Sequence, residues 1–331
     1  MSSEVNRRRF IQKSLITSAG GAMALNAADS AASAQNAAVS GVSLSGLAAT
    51  KADFPTGAIG DLKISRLLLG GNLLTHFTHS RDLRYVYNLT ANYNTVDKIL
   101  ETMALAESHG VNTLVIHTAV GVVSFLKRYR HERGGKMNWI ICPTAEIDDK
   151  MEAYAKQVRE LVDEGVDAIY LWGVRGDDLV SKGRMDLVAK AVQTAKDMGV
   201  PSGVGAHDLQ VIRECEKHNI DADFYIKTFH HHNYQTAPRP EELTAPIREV
   251  PGYWCKDPAE TIDVMKSVSK PWIAFKVMAA GAIPPANAFR YAFENGADHV
   301  LAGMFDFEIA EDVRIAKDTL NNVKRSRPWR S

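Results

Sequence analysis

The chain has 331 residues, 45% of them hydrophobic and 24% charged, with 39 basic side chains balancing 39 acidic ones. That is the balance of an ordinary globular protein. With no basic stripe beyond the first residues it gives nucleic acid no electrostatic footing, and no apolar run reaches the roughly 18 residues that a membrane-spanning helix needs. The cysteines, Cys142, Cys215 and Cys255, are too few for a disulfide framework, and none lies in a CxxC pair. Cys142 and Cys215 read as buried or helical thiols. Cys255 lies in a polar loop, where a buried thiol and a reactive one are both open readings.

The first segment is an address. Asn6-Arg7-Arg8-Arg9-Phe10-Ile11-Gln12-Lys13 sets paired arginines before an apolar step, a weakly apolar stretch rich in Gly, Ala and Thr runs from Ser14 to about Leu25, and Ala32-Ser33-Ala34 offers small residues for cleavage. This resembles a twin-arginine (Tat) signal peptide, with Asn6 where Ser or Thr is commoner. The resemblance implies that residues 1–34 are read by the Tat translocase of a bacterium or archaeon and that the folded protein is delivered to the periplasm or secreted. No Cys follows to carry a lipid anchor. Residues 35–52, rich in Ala, Ser, Gly and Thr, read as a flexible linker, and residues 53–331 as a single domain.

Within that domain one joint recurs. A helical stretch ends in Gly, an apolar residue follows, then Asn, Asp or Pro, then a run of strand formers: Gly110-Val111-Asn112, Gly165-Val166-Asp167, Gly199-Val200-Pro201 and Gly296-Ala297-Asp298, with Asn219-Ile220-Asp221 as a variant. Gly or Asn at this place admits the left-handed turn that ends a helix. The predicted strands are near-continuous apolar runs: Leu67–Gly71, Thr113–Thr118, Trp139–Thr144, Ala168–Gly173, Ser202–His207, Phe224–His230, Trp272–Met278 and Val300–Phe305. Such runs mark strands covered on both faces. Helix starts read at Asn94-Thr95-Val96-Asp97 and at Asp257-Pro258-Ala259-Glu260. Eight strands alternating with helices predict an α/β fold, a closed parallel (β/α)8 TIM barrel. The other reading, an open doubly wound sheet, lacks the GxGxxG that Gly70-Gly71-Asn72 fails to supply. Two long loops, about Asn72 to Tyr93 and about His231 to Lys256, fall at the mouth where barrel enzymes keep their sites, and read as a substrate lid or as structural insertions.

Several segments resemble the aldo/keto reductase superfamily: Phe54-Pro55-Thr56-Gly57 through Leu62–Leu67 its N-terminal hairpin, Asp167–Trp172 its fourth strand, Gly203–His207 its fifth, and Gly303-Met304 with Glu308, Glu311 and Asp312 the end of its eighth. The resemblance implies an N-terminal hairpin plugging the barrel floor and, as one functional expectation, NAD(P)-dependent reduction. The family's catalytic Asp, Tyr, Lys and His do not carry over. The second strand ends Ile116-His117-Thr118-Ala119-Val120, the third Cys142-Pro143-Thr144, and the fourth Trp172-Gly173. The chain also looks like a group of Tat-exported barrel proteins, a likeness that names no reaction.

In place of the tetrad stand imidazoles and amines at strand ends, where residues far apart in sequence converge. His207 and His230, with Glu146, are expected as ligands for a divalent metal, Zn or Mn, or His207 and His230 as proton shuttles. Lys276 and Lys227 sit in apolar runs, where a lysine must pair, snorkel or titrate low, and a low titration makes it a base or a Schiff-base amine, with Lys276 expected as a base or oxyanion stabiliser. His117, Arg175, Trp172, Arg81 and Tyr234 are the expected substrate contacts, Arg175 and Arg81 for an anionic or polyol substrate and the aromatic residues as a stacking wall. The leading expectation is an enzyme acting on a small polar carbonyl- or sugar-like molecule by acid/base or metal-assisted chemistry, of lyase, isomerase or aldolase type. An NAD(P)-linked reductase and a non-catalytic barrel that binds a glycan or a partner protein are the alternatives.

Overall fold

The computed structural model describes residues 53–331; the expected signal peptide and linker lie outside the described residues. A hairpin opens the domain. Its strands β1 (Thr56–Ile59) and β2 (Leu62–Ser65) pair antiparallel about a two-residue turn in which Gly60 takes φ +56°. Ile59 and Ile64 pack into the same buried cluster as the barrel interior, so the hairpin plugs the floor.

Eight parallel strands follow: β3 (Leu67–Gly70), β4 (Thr113–His117), β5 (Asn138–Cys142), β6 (Ala168–Leu171), β7 (Ser202–Ala206), β8 (Phe224–Thr228), β9 (Trp272–Phe275) and β10 (His299–Ala302). Each pairs with the next and β10 returns to β3, closing the (β/α)8 barrel. Between and after the strands come α1 (Tyr85–Tyr93), α2 (Val96–Ser108), α3 (Val122–Lys127, continued as a π turn to Glu132), α4 (Glu152–Asp163), α5 (Gly173–Ser181), α6 (Met185–Lys196), α7 (Leu209–Lys217), α8 (Pro258–Ser267), α9 (Pro285–Glu294) and α10 (Asp306–Asn322). The recurring joint is where the sequence puts it: Gly110, Gly165, Gly199, Gly296 and Asn219 all have positive φ. Both expected helix starts form, with Thr95 accepting from the Lys98 N–H and Asp257 from the Glu260 N–H.

Leu68, Val115, Ile140, Ala168, Tyr170, Phe224, Ile226, Ile273 and Leu301 fill the barrel. Strand alternation then assigns every other side chain to the helix layer. All eight expected strands run past their observed ends, by one to three residues. The fourth stops at Leu171, and Trp172 and Gly173 begin α5; the seventh stops at Phe275, before Lys276; the eighth stops at Ala302. Below the barrel, Asp298 is fully buried and collects the Arg327 guanidinium at 2.7 Å, the Trp272 N–H at 2.9 Å and the Arg330 N–H at 2.8 Å. One carboxylate thereby ties the last segment to two strand ends. Among the described residues no helix is long and apolar enough to cross a membrane.

Candidate active site at the barrel mouth

His207 follows the last residue of β7, at the mouth. Its Nδ1 is 2.7 Å from Asp177 Oδ2, while Asp177 Oδ1 accepts the backbone N–H groups of His207 and Asp208, each at 3.0 Å. Asp177 reaches this position because α5 lies directly on β7. A Cβ at Gly176 would stand 2.7 Å from the Gly205 carbonyl oxygen, so only glycine allows the approach. The carboxylate fixes the ring with its proton on Nδ1 and leaves Nε2 as the free acceptor; Nε2 has no partner among the described residues. Burial lowers the pKa of His207, and the hydrogen bond to Asp177 opposes that only in part. The ring is a neutral, oriented base.

Lys276 stands one residue past β9 in a left-handed conformation, φ +55°. Continued alternation after Phe275 would turn it to the helix layer. The positive φ instead carries its amine to 5.2 Å from the Trp254 ring and 5.5 Å from the Phe275 ring. Non-glycine residues hold such conformations only where the surroundings enforce them, commonly at functional sites. Nζ has no hydrogen-bond acceptor among the described residues, and burial brings its pKa down to about 7, opposed weakly by Glu249. Lys276 in turn lowers the proton affinity of His207.

The two long loops close over this amine. Arg81, itself at φ +63°, donates to Thr236 Oγ1 at 2.7 Å and to the carbonyls of Pro251 at 3.3 Å and Ala279 at 2.9 Å. Its guanidinium lies 5.6 Å from the Tyr234 ring, and Tyr234 donates its hydroxyl proton to the Gly252 carbonyl. Arg81 and Tyr234, expected as substrate contacts, hold the loops instead: Arg81 joins the first loop to the Thr236 hydroxyl and the Pro251 and Ala279 carbonyls, and Tyr234 joins two parts of the second loop. Beneath the first loop His117, on the inward face of β4 with Val115, meets Phe77 edge-on at 5.2 Å and has no hydrogen-bond partner among the described residues. Burial lowers its pKa, and His79 lowers it further.

Other expected residues do not join the site. His230 is buried with both ring nitrogens engaged. Nδ1 donates to the His231 carbonyl at 2.9 Å, and Nε2 accepts the N–H groups of Trp254 at 2.9 Å and Cys255 at 3.2 Å. Its pKa falls to about 3 through burial. With His232 Nε2 donating to the Cys255 carbonyl at 2.8 Å, the two imidazoles clamp one residue of the returning loop. His230 is a strap, with no lone pair for a metal or a substrate. Cys255 is correspondingly buried, which settles its reading as a structural thiol. Lys227 faces the helix layer, opposite Ile226, and is buried; its amine donates to the Thr228 carbonyl at 2.8 Å and Oγ1 at 3.1 Å. Glu146 is exposed on its loop. The expected metal trio is thus not assembled, and no group of three or more His, Cys, Asp or Glu side chains among the described residues is placed to hold an ion. Trp172 packs on the barrel core as the residue before α5. Arg175 is partly buried, its Nε buried and without a partner among the described residues.

Three residues at the mouth escaped the sequence. Asp177 follows Gly176 in the middle of α5, a placement that becomes informative only once that helix is known to lie on the fifth barrel strand. His79 lies two residues before Arg81 in the first long loop, with nothing local to set it apart. Glu249 carries no local signal.

No family model matches the sequence, and no curated protein matches it. Among solved structures, a protein from Pseudomonas aeruginosa assigned to the aldo-keto reductases superposes with a TM-score of 0.51 at 16% identity, over 82% of this chain and 99% of that one. Gox0644 in its apo form gives 0.49 at 10% identity, over 83% and 90%. The N-acetylneuraminic acid synthetase of Leptospira borgpetersenii gives 0.45 at 12%, over 84% and 94%. The first likeness shows the TIM-barrel fold, as the strand order does independently, and the other two add nothing to it.

Proposed function

We propose that this barrel is an acid/base enzyme of lyase or isomerase type acting on a small polar carbonyl- or sugar-like compound. The observation that supports it is the meeting, at one closed mouth, of an unpaired amine and a carboxylate-backed imidazole with a free Nε2. His207 takes a proton from the carbon next to a carbonyl. Lys276, half protonated near neutrality, donates a hydrogen bond to the oxygen on which negative charge develops. Where burial limits the access of water such an interaction is stronger than in solution. Arg175 and His117 hold the polar flanks of the substrate. The reading needs neither a nicotinamide nor a metal. It includes export through the Tat translocase, supported by the arginine pair at Arg7-Arg8 and the small residues at Ala32-Ser33-Ala34.

The test is proton exchange. The purified protein is incubated in D2O with a panel of two- to four-carbon hydroxyaldehydes and hydroxyketones, and deuterium at the carbon next to the carbonyl is read by NMR. Wild-type protein is expected to incorporate deuterium, and His207→Ala and Lys276→Ala each to slow it by roughly 10²–10⁴-fold, the range a positioned proton-transfer group or oxyanion donor supplies. Unchanged exchange in both variants removes the assignment. Stoichiometric Zn or Mn in the purified protein, or tight NADPH binding, would replace it with metal-assisted or hydride-transfer chemistry.

A further inference from the structure

A second carboxylate–imidazole pair hangs over Lys276, and the two loops of the lid supply one partner each. His79, in the segment between β3 and α1, places Nδ1 at 2.6 Å from Oε1 of Glu249, in the segment between β8 and α8. Its Nε2 has no partner among the described residues. The His79 ring stands 6.0 Å from the ring of Trp254, the same indole that lies 5.2 Å from the Lys276 amine. Charge on Lys276 acts on both His79 and Glu249, and His79 acts on His117, so the four groups share one space. Trp254 Nε1 points toward the Glu249 carboxylate but falls outside hydrogen-bond geometry.

The backbone goes to some length to produce this. His76, His79 and Arg81 have φ of 65°, 49° and 63°, all left-handed and none a glycine. Strain repeated within six residues persists only where the surroundings over-determine it. Here the Arg81 hydrogen bonds to the second loop do so, and the result is His79 held against Glu249. The site therefore carries two dyads: Asp177–His207 on the barrel and Glu249–His79 on the lid. Each carboxylate orients its imidazole, which leaves the Nε2 atoms of both dyads open beside the Lys276 amine and the His117 ring, which has no hydrogen-bond partner among the described residues.

We propose that His79 is a second proton-transfer residue, with Glu249 as its positioning residue, and that the substrate is an α-hydroxy carbonyl compound on which His79 moves a proton between the two oxygens. This rests on the reading of His207 and Lys276 above. His207 Nε2 takes the proton from the hydroxyl-bearing carbon; the C–H pair becomes the new C=C bond, and the carbonyl pair moves onto the oxygen facing Lys276. His79 Nε2 takes the proton of the adjacent hydroxyl as an imidazolium backed by Glu249 and returns it to the former carbonyl oxygen. His207 gives its proton to the former carbonyl carbon. The product is the isomeric α-hydroxy carbonyl, with no atom or electron gained or lost.

Glycolohydroxamate, a planar two-oxygen mimic of the enediolate, tests this in the full chain labelled with ¹⁵N-histidine. Binding is expected to move the Nε2 resonances of both His207 and His79. His79→Gln and Glu249→Gln are each expected to weaken the affinity roughly tenfold or more, the loss of one hydrogen bond to a charged group. Glu249→Gln is also expected to move the His79 Nδ1 proton signal upfield, a change that a contact serving only to close the lid would not couple to ligand affinity. A shift at His207 without one at His79, or unchanged affinity in both variants, overturns the role of His79 and leaves the His207–Lys276 reading standing. No shift at either ring brings down both.

Discussion

Lys276→Met separates a functional lysine from a structural one, because the two answers differ in sign. A lysine held for packing or pairing costs stability when it is replaced. Lys276 has no partner for its charge among the described residues, and burial lowers its pKa from 10.5 to about 7. The folded protein therefore binds fewer protons than the unfolded chain between those values, and stability rises with pH across that window. At pH 7 the buried amine is worth a penalty of at most about 4 kcal/mol at 1.4 kcal/mol per pKa unit. Because the side chain retains some contact with solvent, roughly half of that is the working figure. Methionine keeps the apolar stem against Trp254 and removes the charge. Thermal unfolding should then show Lys276→Met more stable by about 2 kcal/mol at pH 7, a rise in Tm of roughly 4–8 °C for a domain of this size. The gap should shrink as pH climbs and close near pH 10.5, while exchange activity is lost throughout. A variant less stable than wild type at pH 7, or a gap independent of pH, would refute the reasoning and make Lys276 a structural residue.

Asp177→Asn removes the charge behind His207 and sets an amide N–H against Nδ1. The expected result is a fall in exchange rate of roughly 10²–10⁴-fold with little change in Tm, and a histidine NMR spectrum showing the other tautomer of His207. Asp298→Asn strands the buried Arg327 guanidinium 2.7 Å away; breaking such a pair costs about 3–5 kcal/mol and should lower Tm by roughly 6–20 °C, with activity per folded molecule unchanged. Asp312 is buried beside Glu308 and Glu311, and burial first, then those two charges, raises its pKa from 3.8 to about 7. Its folded form holds the proton more tightly than the unfolded chain, so it supports stability below pH 3.8 and loses that support as pH rises through 7. Asp312→Asn should raise Tm at pH 8 and leave it unaltered at pH 3.5 in differential scanning fluorimetry. Exchange itself should fall above pH 7, as Lys276 loses the proton it offers the oxyanion, and should persist below pH 6.5, because burial keeps His207 neutral there.

The scaffold was legible because its signals are local and repeated. Gly110, Gly165, Gly199 and Gly296 each solve the same problem, a left-handed exit from a helix, and the apolar run after each can be covered on both faces only in a parallel sheet. The capping of α8 by Asp257 is equally local, since donor and acceptor are three residues apart. The mouth was legible in part. Position at the mouth follows from strand ends, which the sequence displays and which point to His207 and His117, whereas Lys276 stands out as a lysine inside an apolar run. Role follows from partners on other elements. His230 occupies as good a strand-end position as His207, yet its Nε2 is taken by Trp254 and Cys255 from 24 and 25 residues away, whereas His207 has its Nδ1 fixed by Asp177 and its Nε2 left open. No spacing rule separates the two.

The two lysines make the same point on backbone geometry. Lys227 and Lys276 sit in nearly identical contexts, Tyr-Ile-Lys-Thr-Phe and Ala-Phe-Lys-Val-Met, and both follow a residue that faces the barrel interior. Regular β geometry continues through Lys227, so its amine goes to the helix layer and is satisfied by Thr228. The last strand turn of β9 comes one residue earlier, and the left-handed φ at Lys276, followed by left-handed Ala279 and Ala280, reverses the direction of the side chain. None of these three is a glycine, so the turn is held by the contacts around it. Arg81 supplies one such contact by donating to the Ala279 carbonyl from the loop after β3, two strands away round the barrel. The residue that pins the lid shut is thus also bonded to the turn that aims the amine. The contact between the two loops and the placement of Lys276 share one side chain.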